Sequence, residues 1–91
     1  RCGLGEIDLL CRDGESLVVV EVRARGSGAH AAAAFTIGPH KRMRIIRATR
    51  HLLMRNAQWH SVPIRFDVVA FDAIDTGEPR IDWIKAAFEA G

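Results

Sequence analysis

Cysteine is scarce in this chain: Cys2 and Cys11 are the only two among 91 residues. They form no CxxC spacing and meet no histidine cluster, which argues against a zinc site or disulfide scaffold and fits a reducing compartment, so the expected location is cytoplasmic. Apolar runs are short. None approaches the roughly 18 residues of a membrane-spanning helix. A phosphate-binding glycine loop, a catalytic-triad pattern and HExxH are missing too, and low complexity is confined to residues 31–34. The most informative absence is local. From His40 to Arg55 the chain carries Lys41, Arg42, Arg44, Arg47, Arg50, His51 and Arg55 without one Asp or Glu, although the net charge is only +2. With 48% hydrophobic residues, the length suits one small domain with a single core.

What is present begins with GEIDLLCRDGESLVVVEVRAR, residues 5–25. Two runs of strand composition flank Asp13-Gly14, a dipeptide that favours a two-residue hairpin loop, so residues 5–12 and 15–25 are predicted to pair antiparallel. A register with Arg12 opposite Glu15 sets Glu6 across from Glu21 and Asp8 across from Val19. Alternation then places Glu6, Asp8, Glu21 and Arg23 on one face and Ile7, Leu9, Cys11, Val18, Val20 and Val22 on the other. A three- or five-residue loop would separate Asp8 from Glu21. Like charges opposed in a sheet are unfavourable. Two readings fit them: compensation by a divalent cation, or solvation and pairing with Arg23, Arg25 or Arg65.

Residues 26–38, GSGAHAAAAFTIG, read as a loop beside the acidic end of the hairpin, either a plain crossover or a segment that closes on substrate. Gly38-Pro39 then opens a helix over 39–56. At about 100° per residue, Ile45, Ile46, Thr49, Leu52 and Leu53 share one side, while His40, Arg44, Arg47, His51 and Arg55 share the opposite one. The apolar side is expected to cover the apolar face of the sheet, turning the basic side outward. IRFDVVAFD follows as a strand, with Ile64, Phe66, Val68 and Ala70 on one face and Arg65, Asp67, Val69 and Phe71 on the other. Strand, helix, strand implies a parallel pair of 17–25 with 64–72 and a right-handed crossover. Asp67 needs a partner in so apolar a strand, and an arginine is the expected one. Residues 75–79 read as a turn, 80–84 as a short edge strand with Trp83 in the core, and 85–90 as a brief helix. The predicted class is α/β, a mixed β-sheet with one main amphipathic helix covering one face.

The order GEIDLL, a short turn, VVVEVR, a basic helix and the strand RFDVV resembles the YraN family of small uncharacterised bacterial proteins over nearly the whole chain. That family resembles archaeal Holliday junction resolvases and, more distantly, restriction endonucleases of the PD-(D/E)xK type. The resemblance implies a restriction-endonuclease-like core and a nuclease acting on branched or structured DNA with Mg²⁺ or Mn²⁺. Carried over by position, Asp8 stands for the metal-binding aspartate, Glu21 for the acid of the (D/E)xK element and Arg23 for its lysine. The Val22 carbonyl completes the implied metal set, and Glu6, from the family's own GEID signature, joins the catalytic candidates. Arginine stays protonated at ordinary pH, so Arg23 can stabilise a phosphorane but cannot act as a general base. A non-catalytic nucleic-acid-binding protein that keeps the fold is therefore the competing expectation. The family usually has a helix before GEID; residues 1–91 are accordingly expected to be one endonuclease-like domain lacking the N-terminal helix of the full-length protein. Lys41 matches a family position, and with Arg44 and Arg47 it forms the expected set of DNA-phosphate contacts.

Overall fold

The chain reverses at Gly14, as the Asp13-Gly14 pair predicts, but the turn is displaced by one residue. In a computed structural model, which describes residues 7–25, 37–72 and 81–90, β1 (Leu9–Asp13) and β2 (Ser16–Arg25) are antiparallel with Asp13 opposite Ser16. Gly14 and Glu15 form the turn, with Gly14 at φ 61°, the left-handed conformation that glycine adopts without a Cβ clash. Arg12 consequently faces Leu17 rather than Glu15. This corrects the predicted register by two residues along β2. An even shift preserves side-chain parity, so Asp8, Glu21 and Arg23 keep their common face. Extending the pairing of Leu9 with Val20 by one step sets Asp8, not Glu6, against Glu21. Glu6 itself, like the segment 26–36, His30 and the predicted turn at 75–79, lies outside the described residues.

The main helix, α1 (Pro39–Met54), starts where Gly38 supplies an extended N-cap and Pro39 fills the first turn, with the Arg42 N–H donating to the Gly38 carbonyl at 3.0 Å. Its C-terminal carbonyls are met in turn. Asn56 Nδ2 donates to Leu52 O at 2.8 Å and His60 Nε2 to Leu53 O at 3.0 Å, around a 3-10 turn at Ala57–Trp59. Strand β3 (Ile64–Asp72) then runs parallel to β2 from Leu17–Ile64 to Arg25–Asp72, and β4 (Ile81–Phe88) pairs antiparallel with β3, giving the order β1-β2-β3-β4. The mixed sheet and the parallel crossover pair are as predicted.

Which face the helix covers is not. Ile45 and Ile46 pack with Val19, Ile37, Phe66, Val68 and Phe88, so α1 lies on the face that also carries Glu21. The prediction ranked the two faces by apolarity, whereas the right-handed rule for a parallel crossover decides the side independently of composition. On the opposite face Leu9, Val22, Ile81 and Trp83 remain between 40% and 67% exposed, although Val18 and Val20 are buried there. His40, Arg44, Arg47 and His51 on α1 and Arg55 at its C-cap are exposed, as expected, and so are Arg42 and Arg50.

A second correction concerns the end of the chain, where the predicted brief helix at 85–90 is strand as far as Phe88. Phe66 pairs with Phe88 and Val68 with Ile84, so Asp67 alone on β3 faces Lys85, Ala86 and Ala87 on a bulged β4. Ala86 takes φ 52°, an unfavourable conformation for alanine that costs about 1–2 kcal/mol. The Asp67 carboxylate compensates: Oδ1 accepts from the Ala86 N–H at 2.9 Å and from Arg65 Nε at 2.9 Å, while Oδ2 accepts from Trp83 Nε1 at 2.7 Å and Arg65 Nη2 at 3.0 Å. The bulge brings Phe88 onto Phe66 in a stack with centroids 4.9 Å apart, and this core contact overrides the helical propensity of the segment. Trp83, predicted as core, is half exposed and acts through its indole N–H.

Burial alone would raise the Asp67 pKa, but its bonds to Arg65, Ala86 and Trp83 outweigh that and hold it below the ordinary value of 3.8. Its stabilising contribution is complete above 3.8 and is lost as the pH falls through the lower value of the folded state. Replacing Asp67 by Ala leaves Arg65 with Asp13 alone and the Ala86 and Trp83 N–H groups without their acceptor, and is expected to remove about 1–3 kcal/mol from the urea unfolding free energy at neutral pH, with a smaller difference from wild type as the medium becomes acidic.

Candidate metal centre

Glu21 is in the second half of β2, and the helix N-terminus returns over that same end because α1 runs antiparallel to the strands it connects. The two elements enclose an open cleft of ≈ 620 Å³ lined by Asp8, Glu21, Val22, Arg23, Ala24, Gly38 and Lys41. Clefts at the carboxyl ends of parallel strands are where open α/β sheets commonly bind ligands. Asp8 precedes β1 and is exposed; its Oδ2 accepts the Val22 N–H at 3.0 Å, which fixes the carboxylate against β2.

Glu21 is only 5% exposed. Its Oε2 lies 3.6 Å from Lys41 Nζ, beyond ordinary hydrogen-bond length, and its Oε1 is buried with no hydrogen-bond partner among the described residues. Burial first, and then the adjacent Asp8 carboxylate, raise the Glu21 pKa above its ordinary value, while Lys41 opposes them. This acid is under-compensated, in contrast to Asp67 with its four donors. A buried carboxylate oxygen without a donor, next to a second carboxylate in an open cleft, suits a hard cation such as Mg²⁺ or Mn²⁺, which typically takes one or two carboxylates and completes its shell with water or phosphate oxygens. Among the described residues no cluster of three or more His, Cys, Asp or Glu side chains forms. The described acids suited to such an ion are therefore Asp8 and Glu21, with Val22 beside them.

The predicted site residues thus divide. Asp8, Glu21, Val22 and Arg23 come together, Glu6 is not described, and the expected phosphate-contact set splits. Arg44 and Arg47 are on the exposed face of α1, whereas Lys41 turns into the cleft. That placement was accessible in the sequence: Lys41 is one helical turn before Ile45 and so continues the stripe that faces the sheet.

The geometry defines a small mixed-sheet α/β protein whose cleft sets two carboxylates, Asp8 and Glu21, beside Arg23 and Lys41 at the start of a basic helix. A family model for the uncharacterised protein family UPF0102 matches residues 1–71, and the chain belongs to that family, the one indicated by its resemblance to the YraN proteins. It is 43% identical over 90 residues to a UPF0102 protein of Pseudomonas paraeruginosa, covering 98% of this chain and 72% of that protein. Identity to a UPF0102 protein of Legionella pneumophila is 42% over 91 residues, covering 100% and 75% of the two chains. A Bordetella parapertussis relative is 48% identical over 92 residues, covering 97% of this chain and 49% of its own length. No helix among the described residues is long and apolar enough to cross a membrane.

Because the folded state raises the Glu21 pKa, it binds that proton more tightly than the unfolded chain does. The contribution of Glu21 to stability is therefore greatest below 4.5 and declines as the pH rises through its value in the fold. Glu21→Gln removes this penalty and can donate an amide hydrogen to Asp8. Thermal unfolding of the cation-free protein should show the variant about 1 kcal/mol more stable than wild type at neutral pH and less pH-dependent in mildly acidic buffer.

Proposed function

We propose that this protein is a metal-dependent phosphodiesterase acting on nucleic acid, with branched or structured DNA as the substrate class. The observation that carries this reading is the buried, unpartnered Glu21 Oε1 beside Asp8. Two supports come from the sequence order and the sheet. The strand, turn, strand, helix, strand succession resembles the PD-(D/E)xK nucleases, and the mixed sheet of these elements is compatible with a restriction-endonuclease-like core.

Asp8 and Glu21 would hold Mg²⁺ or Mn²⁺, with the Val22 carbonyl as a further oxygen donor. When bound, the cation supplies Lewis acidity toward the phosphodiester and lowers the pKa of water. Asp8 is kept in position by the Val22 N–H, so its carboxylate needs little reordering to act as a ligand. Arg23 lines the cleft as a permanent positive charge and serves to stabilise the developing phosphorane, a role that requires no proton transfer. The exposed helix face with Arg42, Arg44, Arg47 and Arg50 supplies an electrostatic surface for the phosphate backbone.

That face, together with arginine in place of the superfamily's lysine, favours a second reading, a nucleic-acid-binding protein that has kept the fold without cleavage. One assay separates them. The full-length protein, incubated with Mn²⁺ and branched, single-stranded and duplex DNA, is expected to nick at least the branched substrate, and Asp8→Asn to lower the rate 100-fold or more. DNA binding by both proteins with no cleavage by either supports the second reading and overturns the first.

Reversing charge at Arg44 and Arg47 should weaken binding across DNA sequences and flatten its salt dependence, by a slope of about 0.9 for each phosphate no longer neutralised. The circular dichroism spectrum should not change, because both side chains are exposed. Unchanged affinity and slope in a filter-binding assay would show that the binding surface lies elsewhere.

A further inference from the structure

Two buried acids in this protein are treated differently. Asp67 is fully enclosed and receives four donors at 2.7–3.0 Å, a closed arrangement with no room for exchange. Among the described residues, Glu21 meets the Lys41 ammonium at 3.6 Å and has a buried oxygen, Oε1, without a hydrogen bond. The two members of that pair also differ in freedom: the Glu21 side chain is 6% exposed and fixed in the sheet, whereas the Lys41 side chain is 35% exposed on a flexible stem at the helix start. The ammonium thus stands against the carboxylate that the proposed divalent cation would use, and nothing but that loose contact holds it there among the interactions described. Two positive charges competing for one carboxylate cannot both be satisfied at full strength.

We infer that Lys41 is an internal counter-ion of the cleft, paired with Glu21 in the cation-free protein and displaced when a divalent cation binds, which frees its ammonium to contact a phosphate of bound nucleic acid. The inference rests on the proposed cation site and adds a role to it. Lys41 is then a phosphate-contacting residue whose availability depends on the cation, so that cation and nucleic acid favour one another's binding, and by linkage do so equally. It is not a constitutive member of the basic helix face with Arg44 and Arg47.

The test measures binding rather than cleavage. Mn²⁺ is titrated against wild type, Lys41→Met and, as a control for the loss of one positive charge, Arg50→Gln on the exposed side of α1. Removing a competing, partly exposed ion pair should tighten Mn²⁺ binding about 2–5-fold in Lys41→Met, with a smaller change in Arg50→Gln. Duplex DNA binding is then followed against salt, with and without Ca²⁺, an oxygen-seeking ion used so that the DNA stays intact. The wild-type slope should exceed that of Lys41→Met by about 0.9 with Ca²⁺, and the two slopes should coincide without it.

Equal or weaker Mn²⁺ binding by Lys41→Met overturns the inference, and so does a slope difference of the same size with and without Ca²⁺, which would make Lys41 an ordinary phosphate contact. Failure of the underlying reading looks different. Mn²⁺ binding that survives Asp8→Asn removes the proposed cation site altogether. A wild type that binds Mn²⁺ but no DNA overturns the phosphate-contact half, while tighter Mn²⁺ binding by Lys41→Met would still support displacement.

Discussion

Arg65 reaches two carboxylates at once, Asp67 within its own strand and Asp13 at the end of β1 at 3.0 Å, and this fork is what the rest of the sheet depends on. Its bonds to Asp67 and then to Asp13 raise the Arg65 pKa further, so the guanidinium keeps its charge. Through Asp67 the same network reaches Trp83 and Ala86, connecting one edge strand to the other across the face that α1 does not cover. The connection makes the bulged β4 tolerable, and the bulge delivers Phe88 to Phe66 on the far side. Polar chemistry on one face of the sheet therefore sets hydrophobic packing on the other.

With one acid satisfied so completely, the incomplete state of Glu21 is not a general feature of this fold's buried carboxylates. Its under-compensation is local to the carboxyl end of β2, where the crossover geometry also brings the N-terminus of α1 and Lys41. An ionisable group in that condition raises the energy of the cation-free protein, and active sites frequently show such a cost. UPF0102 is an uncharacterised family, and among the described residues Glu21, Asp8 and Lys41 are those whose electrostatics are left least resolved by the fold.

Much of this could be read from residue order. The hairpin, the amphipathic helix, the parallel partnership of β2 with β3 and the need of Asp67 for an arginine all follow from period, turn chemistry and the cost of burying charge. Composition makes Val18, Val20 and Val22 look like the face under the helix, while handedness, which leaves no mark on composition, assigns α1 to the face of Val19 and Val68. Strand β4 is masked in the sequence because Lys85, Ala86 and Ala87 carry helical preference, and it is the distant Asp67 that makes a bulge there worth forming. At the cleft, the common face of Asp8 and Glu21 was legible from alternation. The inward placement of Lys41 was obscured by its basic neighbours, among which its spacing from Ile45 was the one distinguishing sign.

The turn at Gly14 and Glu15 has a consequence for how relatives can differ in length. Strand pairing converts the number of residues between a side chain and the turn into a choice of sides, and the conversion is binary. Inserting or deleting two residues within β1, with the turn kept, slides Asp8 along β2 yet returns it to its own side, leaving the acids over the cleft. A change of one residue within β1, unless a bulge absorbs it, exchanges the sides and carries Asp8 to the far surface while Glu21 stays. The distance from Asp8 to the turn is thus constrained in its parity more than in its magnitude, so a single-residue insertion in β1 is more disruptive than a double one, whereas extra residues in the turn leave the sides as they are.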